Sequence, residues 1–430
     1  MKALPSLDLC DYALPYAPAL PPPSNRTAAS CGSADALLDG GDNGEAVTLP
    51  DAAGQIKGRR GRRVLRYLTL FASRSAGLCL AFKAPDLTRP NALARFFSLG
   101  IGAVMATCNQ EGLNFSGSEL VQVLPSAGVG PPSMTHNAAL LRLPGEQERE
   151  RFLVVGGEGS FWSAAGSGEA GEGFAEVELQ GGRSVSPAVT ADPASGIWAT
   201  RGPGWSHDAT TWERPRLAVG ATHAGCVDVR LKTGYGGAGC EYDGRLSLVR
   251  HRGAFLLYAR ANLRECAPRG GRFVQVAVSA DGRSWGPMRP IALREYDPDS
   301  GDIYFFAAQE NPVDIVDASG GGGGSRSLLA LFPLSQPPRA CLGLAFSIDG
   351  VKWSQVVNLR SCKAAPGGRT VDHPVAGGMV VRGETAYVYV QHAVPGIAPL
   401  RARTHVRRYS LRAATLRRLT SEAREALLGR

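Results

Sequence analysis

The 430-residue sequence contains no clean apolar run of about 20 residues, so it does not read as a polytopic membrane protein. Its 54 Gly and 29 Pro fall in no collagen-like period, and 44% hydrophobic residues are too many for a wholly disordered chain. None of the nine cysteines forms a C-x-x-C or a zinc-finger spacing, which argues against a structural metal site. H-E-x-x-H, G-x-S-x-G and EF-hand patterns are absent, and the glycine run Ser319–Ser325 lacks the Gly-Lys-Ser/Thr end of a phosphate loop, reading instead as a flexible connection. Helical patterning is scarce too, and only Thr420–Leu428 has a capped, helix-like start. The length allows one domain of roughly 200 to 300 residues or two smaller ones.

Charge is sparse, at 20% of residues, and uneven. The formal net charge is +9, but Lys57, Arg59, Arg60, Arg62, Arg63 and Arg66 contribute +6, and nine Arg against Glu422 and Glu425 contribute +7 from Arg401 onward. The remainder sums to 9 − 13 = −4. A mildly acidic body lacks the footprint of a nucleic-acid-binding domain, so no nucleic-acid partner is expected.

Residues 1–60, with Pro21–Pro23 and a small-residue stretch, read as a disordered low-complexity tail. Residues 61–104 form a basic and apolar segment. Within it, 64–82 reads either as a signal anchor, through which the chain would meet a membrane, or as the buried start of the fold. Arg74 near its middle would cost roughly 2.5 to 3.5 kcal/mol on insertion, which favours the second reading. The pairs Cys226/Cys240 and Cys341/Cys362 could close short loops in an oxidising compartment, and the sequon Asn114-Phe115-Ser116 agrees with one; buried thiols are the alternative. Secretory lumen or extracellular space and cytoplasm both stay open.

Beyond residue 100 the pattern changes to short β-type runs bounded by Gly, Pro, Asp and Asn: Ala139–Leu143, Arg151–Val155, Arg245–Val249, Ala254–Ala259, Arg272–Val278, Ile303–Ala307, Leu328–Phe332, Met379–Val381 and Ala386–Gln391. So many short strands suggest an all-β radial or repeated architecture. Ser279-Ala-Asp281-Gly-Arg-Ser-Trp285 and Ser347-Ile-Asp349-Gly-Val-Lys-Trp353 share Ser-x-Asp-Gly-x-x-Trp; Ser206-His-Asp208-Ala-Thr-Thr-Trp212 departs only at Ala209. This signature predicts a turn in which Asp accepts backbone N–H groups, Gly supplies positive φ and Trp packs back on the sheet. Its tryptophans are 285 − 212 = 73 and 353 − 285 = 68 residues apart, so a repeat of this order divides 105–412 into about five units.

Hairpins of this kind, Ala277–Pro287 above all, resemble those of five-bladed β-propeller glycoside hydrolases of the fructosidase and arabinanase type. Glu241-Tyr-Asp243 before Gly244–Val249, Asp302–Phe305 through Asn311-Pro312, and Met134–Asn137 before Leu140 are similar to successive blades, over about residues 130–395. The resemblance implies a five-bladed β-propeller at 105–412 and carbohydrate as the partner; the helical pattern at the end of the chain adds a short basic C-terminal helix at 413–430. The resemblance also implies an axial pocket where glycoside cleavage needs two carboxyls. Asp243 is the candidate ionised group, and Glu310 and Asp372 are candidates for the acid. His136, Asn137, Arg260 and His373 are candidates for sugar contacts, with Trp162 or Trp205 as a stacking platform. The family's Arg-Asp-Pro element is missing, since Asp192-Pro193 and Asp297-Pro298 follow Ala191 and Tyr296. A non-catalytic carbohydrate-binding or protein-interaction propeller is therefore weighed against the hydrolase. A sialidase-like hydrolase is third, with Arg245, Arg260, Arg369 and Arg382 and with Tyr304 or Tyr387 available. No cofactor is expected; structural Ca²⁺ on the axis is compatible with the composition but not called for by any spacing.

Overall fold

The computed structural model describes residues 37–38, 44–49, 66–73, 77–84, 103–116, 121–124, 137–143, 151–158, 196–203, 216–220, 223–225, 242, 244–262, 271–298, 301–316, 326–336, 339–364, 372–394 and 404–429. β1 (Glu45–Val47) is followed by an antiparallel meander of β2 (Arg66–Ser73), β3 (Gly77–Ala84), β4 (Ala103–Asn109) and β5 (Val121–Leu124). The same arrangement recurs in β6 (Ala139–Leu143), β7 (Arg151–Glu158), β8 (Gly196–Pro203) and β9 (Arg216–Gly220). It recurs again in β10 (Ser247–His251), β11 (Ala254–Asn262), β12 (Arg272–Ser279) and β13 (Arg289–Pro290). After the short β14 (Ala292–Leu293) and β15 (Asp302–Ile303), the next meander begins with β16 (Ala307–Glu310), which leads into α1 (Pro312–Val316). It continues through β17 (Leu328–Gln336) and β18 (Arg339–Ser347) and, past β19 (Lys352–Trp353), ends in β20 (Val357–Ala364). The last comprises β21 (His373–Arg382), β22 (Thr385–His392) and β23 (His405–Arg412), and its outer edge is taken by β1 through Glu45↔Arg408 to Val47↔Val406. α2 (Ala413–Leu428) ends the described chain.

The fold is all-β and propeller-like. The first strands of the meanders, β2, β6, β10, β16 and β21, neighbour one another in a closed circle. Each junction has a visible tie. Leu246 N–H donates to Asn137 O at 3.1 Å. The Ser247 hydroxyl donates to Ala308 O at 3.1 Å and accepts Ala308 N–H at 2.9 Å. The Gln309 amide does the same for Met379, at 2.7 and 3.1 Å. β21 meets β2 in parallel at Ala376↔Thr69, and Arg142 on β6 reaches Ala72 O of β2 at 2.6 Å. Polar side chains thus take the place of a continuous backbone ladder where the inner strands splay apart.

Apolar residues fill the spaces between successive sheets. Leu68, Leu80, Phe82, Val375 and Tyr389 pack between the last and first meanders, and Ala106, Leu140, Phe152 and Val154 between the first and second. Leu153, Ile197, Leu248 and Leu257 fill the next space, Tyr258, Val276, Phe306 and Trp353 the one after, and Leu331, Leu344, Val388 and Leu416 the last. A sheet covered on both faces needs apolar residues at consecutive positions, which is why β11 is buried nearly end to end rather than alternately.

The hairpin signature folds as its chemistry requires. Asp281 Oδ1 accepts the N–H groups of Arg283 and Ser284 at 2.8 and 2.9 Å, Gly282 has φ 66°, and its N–H donates to Ser279 Oγ at 2.8 Å. Asp349 receives Val351 and Lys352 N–H at 2.8 and 2.7 Å, Gly350 has φ 79°, and Trp353 is buried. A further, degenerate copy occurs at Asn109-Gln-Glu-Gly112-Leu-Asn-Phe115. Here Asn109 Oδ1 receives Gly112 N–H at 2.9 Å, as Ser279 Oγ receives Gly282 N–H, and Phe115 is fully buried in the Trp position. All three follow the third strand of a meander; the copy at Ser206–Trp212 lies outside the described residues, as does the Ser319–Ser325 run.

Some expectations need adjustment. Within the stretch 64–82 the described residues belong to β2 and β3, paired with each other and with neighbouring strands, and among the described residues no helix is long and apolar enough to cross a membrane. β1 lies within the expected 1–60 tail, and β2, β3 and the start of β4 within 61–104, all of them in the sheets. Ile303–Ala307 is not one strand. It divides into β15 and β16, because Ala308 N–H turns back to Phe306 O at 3.0 Å and sends Phe306 into the core. The C-terminal helix covers Ala413–Leu428, inside the expected 413–430 and beginning before the capped stretch at Thr420: Ala413, Leu416, Thr420 and Ala423 share its buried face, and Gly429 at φ 71° ends it.

Candidate functional site

Because the inner strands form a circle, the residues that open them converge at one end of the central channel. Tyr67, Asn137, Arg245, Tyr304, Phe305 and His373 occupy this position. Tyr67 and Asn137 adopt φ of 58° and 54°, a left-handed backbone that asparagine tolerates and that costs Tyr67 about 1 to 2 kcal/mol. At Tyr67 this accompanies the irregular β2–β3 register between Arg66 and Thr69.

Arg245 is the centre of the group. Its side chain crosses from β10 to β2, which are not neighbours in the circle, and donates from Nη2 to Thr69 Oγ1 at 2.9 Å. The guanidinium lies 5.6 Å from the Phe305 ring centroid. Burial lowers its pKa to about 9, partly offset by Tyr67, so it stays a cation at neutral pH. Among the described residues no carboxylate pairs with it, and its Nε has no hydrogen-bond partner. The Asn137 Nδ2 is likewise buried without a partner. His373 packs 5.1 Å from Phe305 and 5.5 Å from Tyr304; burial first, and Arg245 second, push its pKa down to about 3, so its imidazole is neutral.

Arg260 lies on β11. Extending the β10–β11 register by two residues places it opposite Arg245, and its side chain packs where a Cβ on Gly244 would come within 3.2 Å. Asp372 immediately precedes β21. Burial raises its pKa, but the His392 hydrogen bond and charge outweigh this and leave it lowered overall. His392 Nδ1 is 3.0 Å from Asp372 Oδ2, its Nε2 is 2.9 Å from the Tyr409 hydroxyl, and Arg360 bonds that hydroxyl in turn.

Glu310 lies elsewhere. It is the last residue of β16, 3.7 Å from Arg326, and lines a cavity of about 760 Å³ at the opposite, C-terminal ends of the inner strands. Gln309 bonds to Met379, seven positions beyond Asp372, so Glu310 and Asp372 are separated by on the order of 20 Å. The structure therefore brings together Asn137, Arg260 and His373, holds the Asp372 carboxylate in the neighbouring His392–Tyr409–Arg360 group, and sets Glu310 apart. Asp243, His136, Trp162, Trp205, Cys226 and Cys240 lie outside the described residues. Sequence reasoning raises Arg245 only under the sialidase-like reading; its signal is a cation opening the apolar run Leu246–Val249, overshadowed by the neighbouring Asp243. Cys341 is buried, its thiol 4.0 Å from Asn358 Oδ1, while Cys79 and Cys108 form a disulfide that the spacing did not suggest. Among the described residues no group of three or more His, Cys, Asp or Glu could hold a metal ion.

No family model matches the sequence, and no curated protein does so. Among solved structures, the chain is similar to an N-acetylgalactosamine deacetylase from F. plautii in complex with blood group B trisaccharide, with 11% identity, a TM-score of 0.43 and coverage of 88% of this chain and 96% of that one. A GH93 α-L-arabinofuranosidase of Fusarium graminearum with arabinobiose gives 10% identity and a TM-score of 0.44, over 86% and 98%. A β-1,2-mannobiose phosphorylase from Listeria innocua gives 10% and 0.44, over 83% and 92%.

Proposed function

We propose that this chain is a five-bladed β-propeller that recognises a carbohydrate where its inner strands begin. Five blades are supported by the meanders that start at β2, β6, β10, β16 and β21, their closed circle of contacts and the apolar layers between successive sheets. Carbohydrate recognition rests on one observation: the adjoining Asn137 and Arg245 bury donors, Nδ2 and Nε, that no protein acceptor completes among the described residues. A buried polar group left unpaired costs about 1 to 3 kcal/mol. Hydroxyl, ring and carboxylate oxygens of a sugar are acceptors that relieve that cost, and the half-buried Tyr304 ring beside them suits the apolar face of a pyranose or furanose.

Hydrolysis would need a second carboxyl facing Asp372, and Asp243, two residues before Arg245, is the residue we assign to that task. Asp372, kept ionised by His392, suits the base or nucleophile rather than the acid expected of it, which reverses the expected roles and leaves Asp243 as the proton donor. The test is binding to a glycan array together with turnover of aryl-glycosides, using wild type, Arg245→Gln and Asp243→Asn. We expect Arg245→Gln to weaken glycan binding at least tenfold and Asp243→Asn to abolish turnover while binding persists. Unchanged binding by Arg245→Gln refutes the site. Binding without turnover in the wild type makes this a lectin-like propeller.

A further inference from the structure

We propose that Asn114 is an acceptor for N-linked glycan, and hence that the folded chain is a product of an oxidising secretory compartment. Asn114-Phe115-Ser116 meets the acceptor pattern, with a residue other than proline at its centre. The structure supplies what the pattern alone does not. Asn114 and Ser116 are exposed on the turn after β4, while the intervening Phe115 is fully buried and pins that turn to the sheet. Asn114 Oδ1 accepts both the Ser116 N–H, at 3.0 Å, and the Ser116 hydroxyl, at 2.6 Å. The hydroxyl and the amide oxygen are therefore already engaged, and among the described residues the Asn114 amide nitrogen has no hydrogen-bond partner. Turn chemistry does not call for asparagine here. In the other described copies of the hairpin the equivalent positions are Ser284 and Lys352, both exposed.

A second, independent feature points to the same compartment. Cys79 on β3 and Cys108 on β4 are directly opposed and joined as a disulfide, six residues before Asn114. Structural disulfides form and persist in secreted proteins and are rare in reducing cytosol. The strand directions also put the glycan out of the way. β4 runs parallel to β2, so its turn lies at the C-terminal end of the inner strands, opposite the Arg245 group.

The modification forms a bond between Asn114 Nδ2 and the anomeric carbon of a lipid-pyrophosphate-linked oligosaccharide. The anomeric C–O bond to the pyrophosphate breaks, the lipid pyrophosphate leaves, and Nδ2 loses one proton. The experiment expresses the full chain with its own N-terminus in eukaryotic cells and treats it with peptide N-glycosidase, followed by electrophoresis and peptide mass spectrometry. The second sequon, Asn25-Arg26-Thr27, is removed in a parallel Asn25→Gln variant. We expect loss of one glycan, conversion of residue 114 to aspartate, persistence in Asn25→Gln and Ser116→Thr, and absence in Ser116→Ala, which keeps Asn114 and controls for misfolding. Alkylation without reductant should show Cys79 and Cys108 linked in the same material. Wild type unmodified at Asn114, modification confined to Asn25, or free Cys79 and Cys108 thiols in cell-derived protein would each overturn the proposal.

Discussion

The circle of inner strands has one seam whose strength can be measured with a single methyl group. At Gly377, β21 passes β2 so closely that a Cβ would lie 2.3 Å from Leu70 O, and the backbone has φ 64°. Gly377→Ala therefore carries two penalties. Left-handed backbone costs an alanine about 1 to 2 kcal/mol. The carbonyl contact would have to open by about 1 Å to reach an ordinary C···O separation, and overpacking of that kind costs about 1 to 3 kcal/mol. Gly383, in the β21–β22 turn, has nearly the same φ of 56°, but an added methyl there would meet nothing within 4 Å, so Gly383→Ala carries only the first penalty. Urea denaturation followed by tryptophan fluorescence should place Gly377→Ala about 1 to 3 kcal/mol below Gly383→Ala, the steric share alone. Equal losses in the two variants would mean that β2 and β21 do not meet as described, and the closed circle would fail with them.

Other outcomes follow from the same contacts. Cys79→Ala with Cys108→Ala, or reduction, should cost about 3 to 4 kcal/mol on the chain-entropy estimate for a crosslink spanning 29 residues, read as a lower urea midpoint; no change would place the disulfide outside the folded state's stability. Asp281 is held near pKa 2, below its ordinary 3.8, by the backbone N–H groups of Ser284 and Arg283. Its folded pKa lies below the unfolded one, so its contribution is present above pH 4 and lost as pH falls from about 4 to 2. The stability gap between wild type and Asp281→Ala should shrink over that window, and a gap independent of pH would refute the assignment. Deleting residues 1–49 removes β1 and the buried Leu38, Val47 and Leu49, for an expected loss of about 5 to 9 kcal/mol by urea denaturation, of which the share of β1 is the difference from a deletion of residues 1–43; no difference between the two would show that the last sheet is complete with three strands.

Much of the architecture is legible in the sequence because inner and middle strands keep recognisable runs and because turn chemistry is strict. Ser279–Trp285 and Ser347–Trp353 could be read directly. The copy at Asn109–Phe115 escaped because Asn replaces Ser, Glu replaces Asp and Phe replaces Trp; Asn109 and Phe115 keep the functions of the Ser and Trp without the letters. β2 and β3 resembled an anchor because strands sandwiched between two apolar layers lose their alternation. The site was legible only in part. Asn137, Asp372 and His373 stand at strand starts and could be proposed from that alone. Glu310 stands beside a strand equally well, but sequence does not say at which end of an inner strand a residue falls. Arg245 matters through what it lacks, a carboxylate partner among the described residues, and that is a property of three-dimensional surroundings.

β1 hands its edge to β23 across 363 residues, Glu45 to Arg408. Such a loop costs about 5 kcal/mol of chain entropy to close, so the contact is affordable only once the intervening sheets have already drawn the ends together. At about 5 to 20 residues per second, a ribosome needs about 20 to 70 s to make that stretch. For all of that time β1 exists without its partner. The β1 edge therefore cannot be closed before Arg408 has been made and the sheets between have assembled.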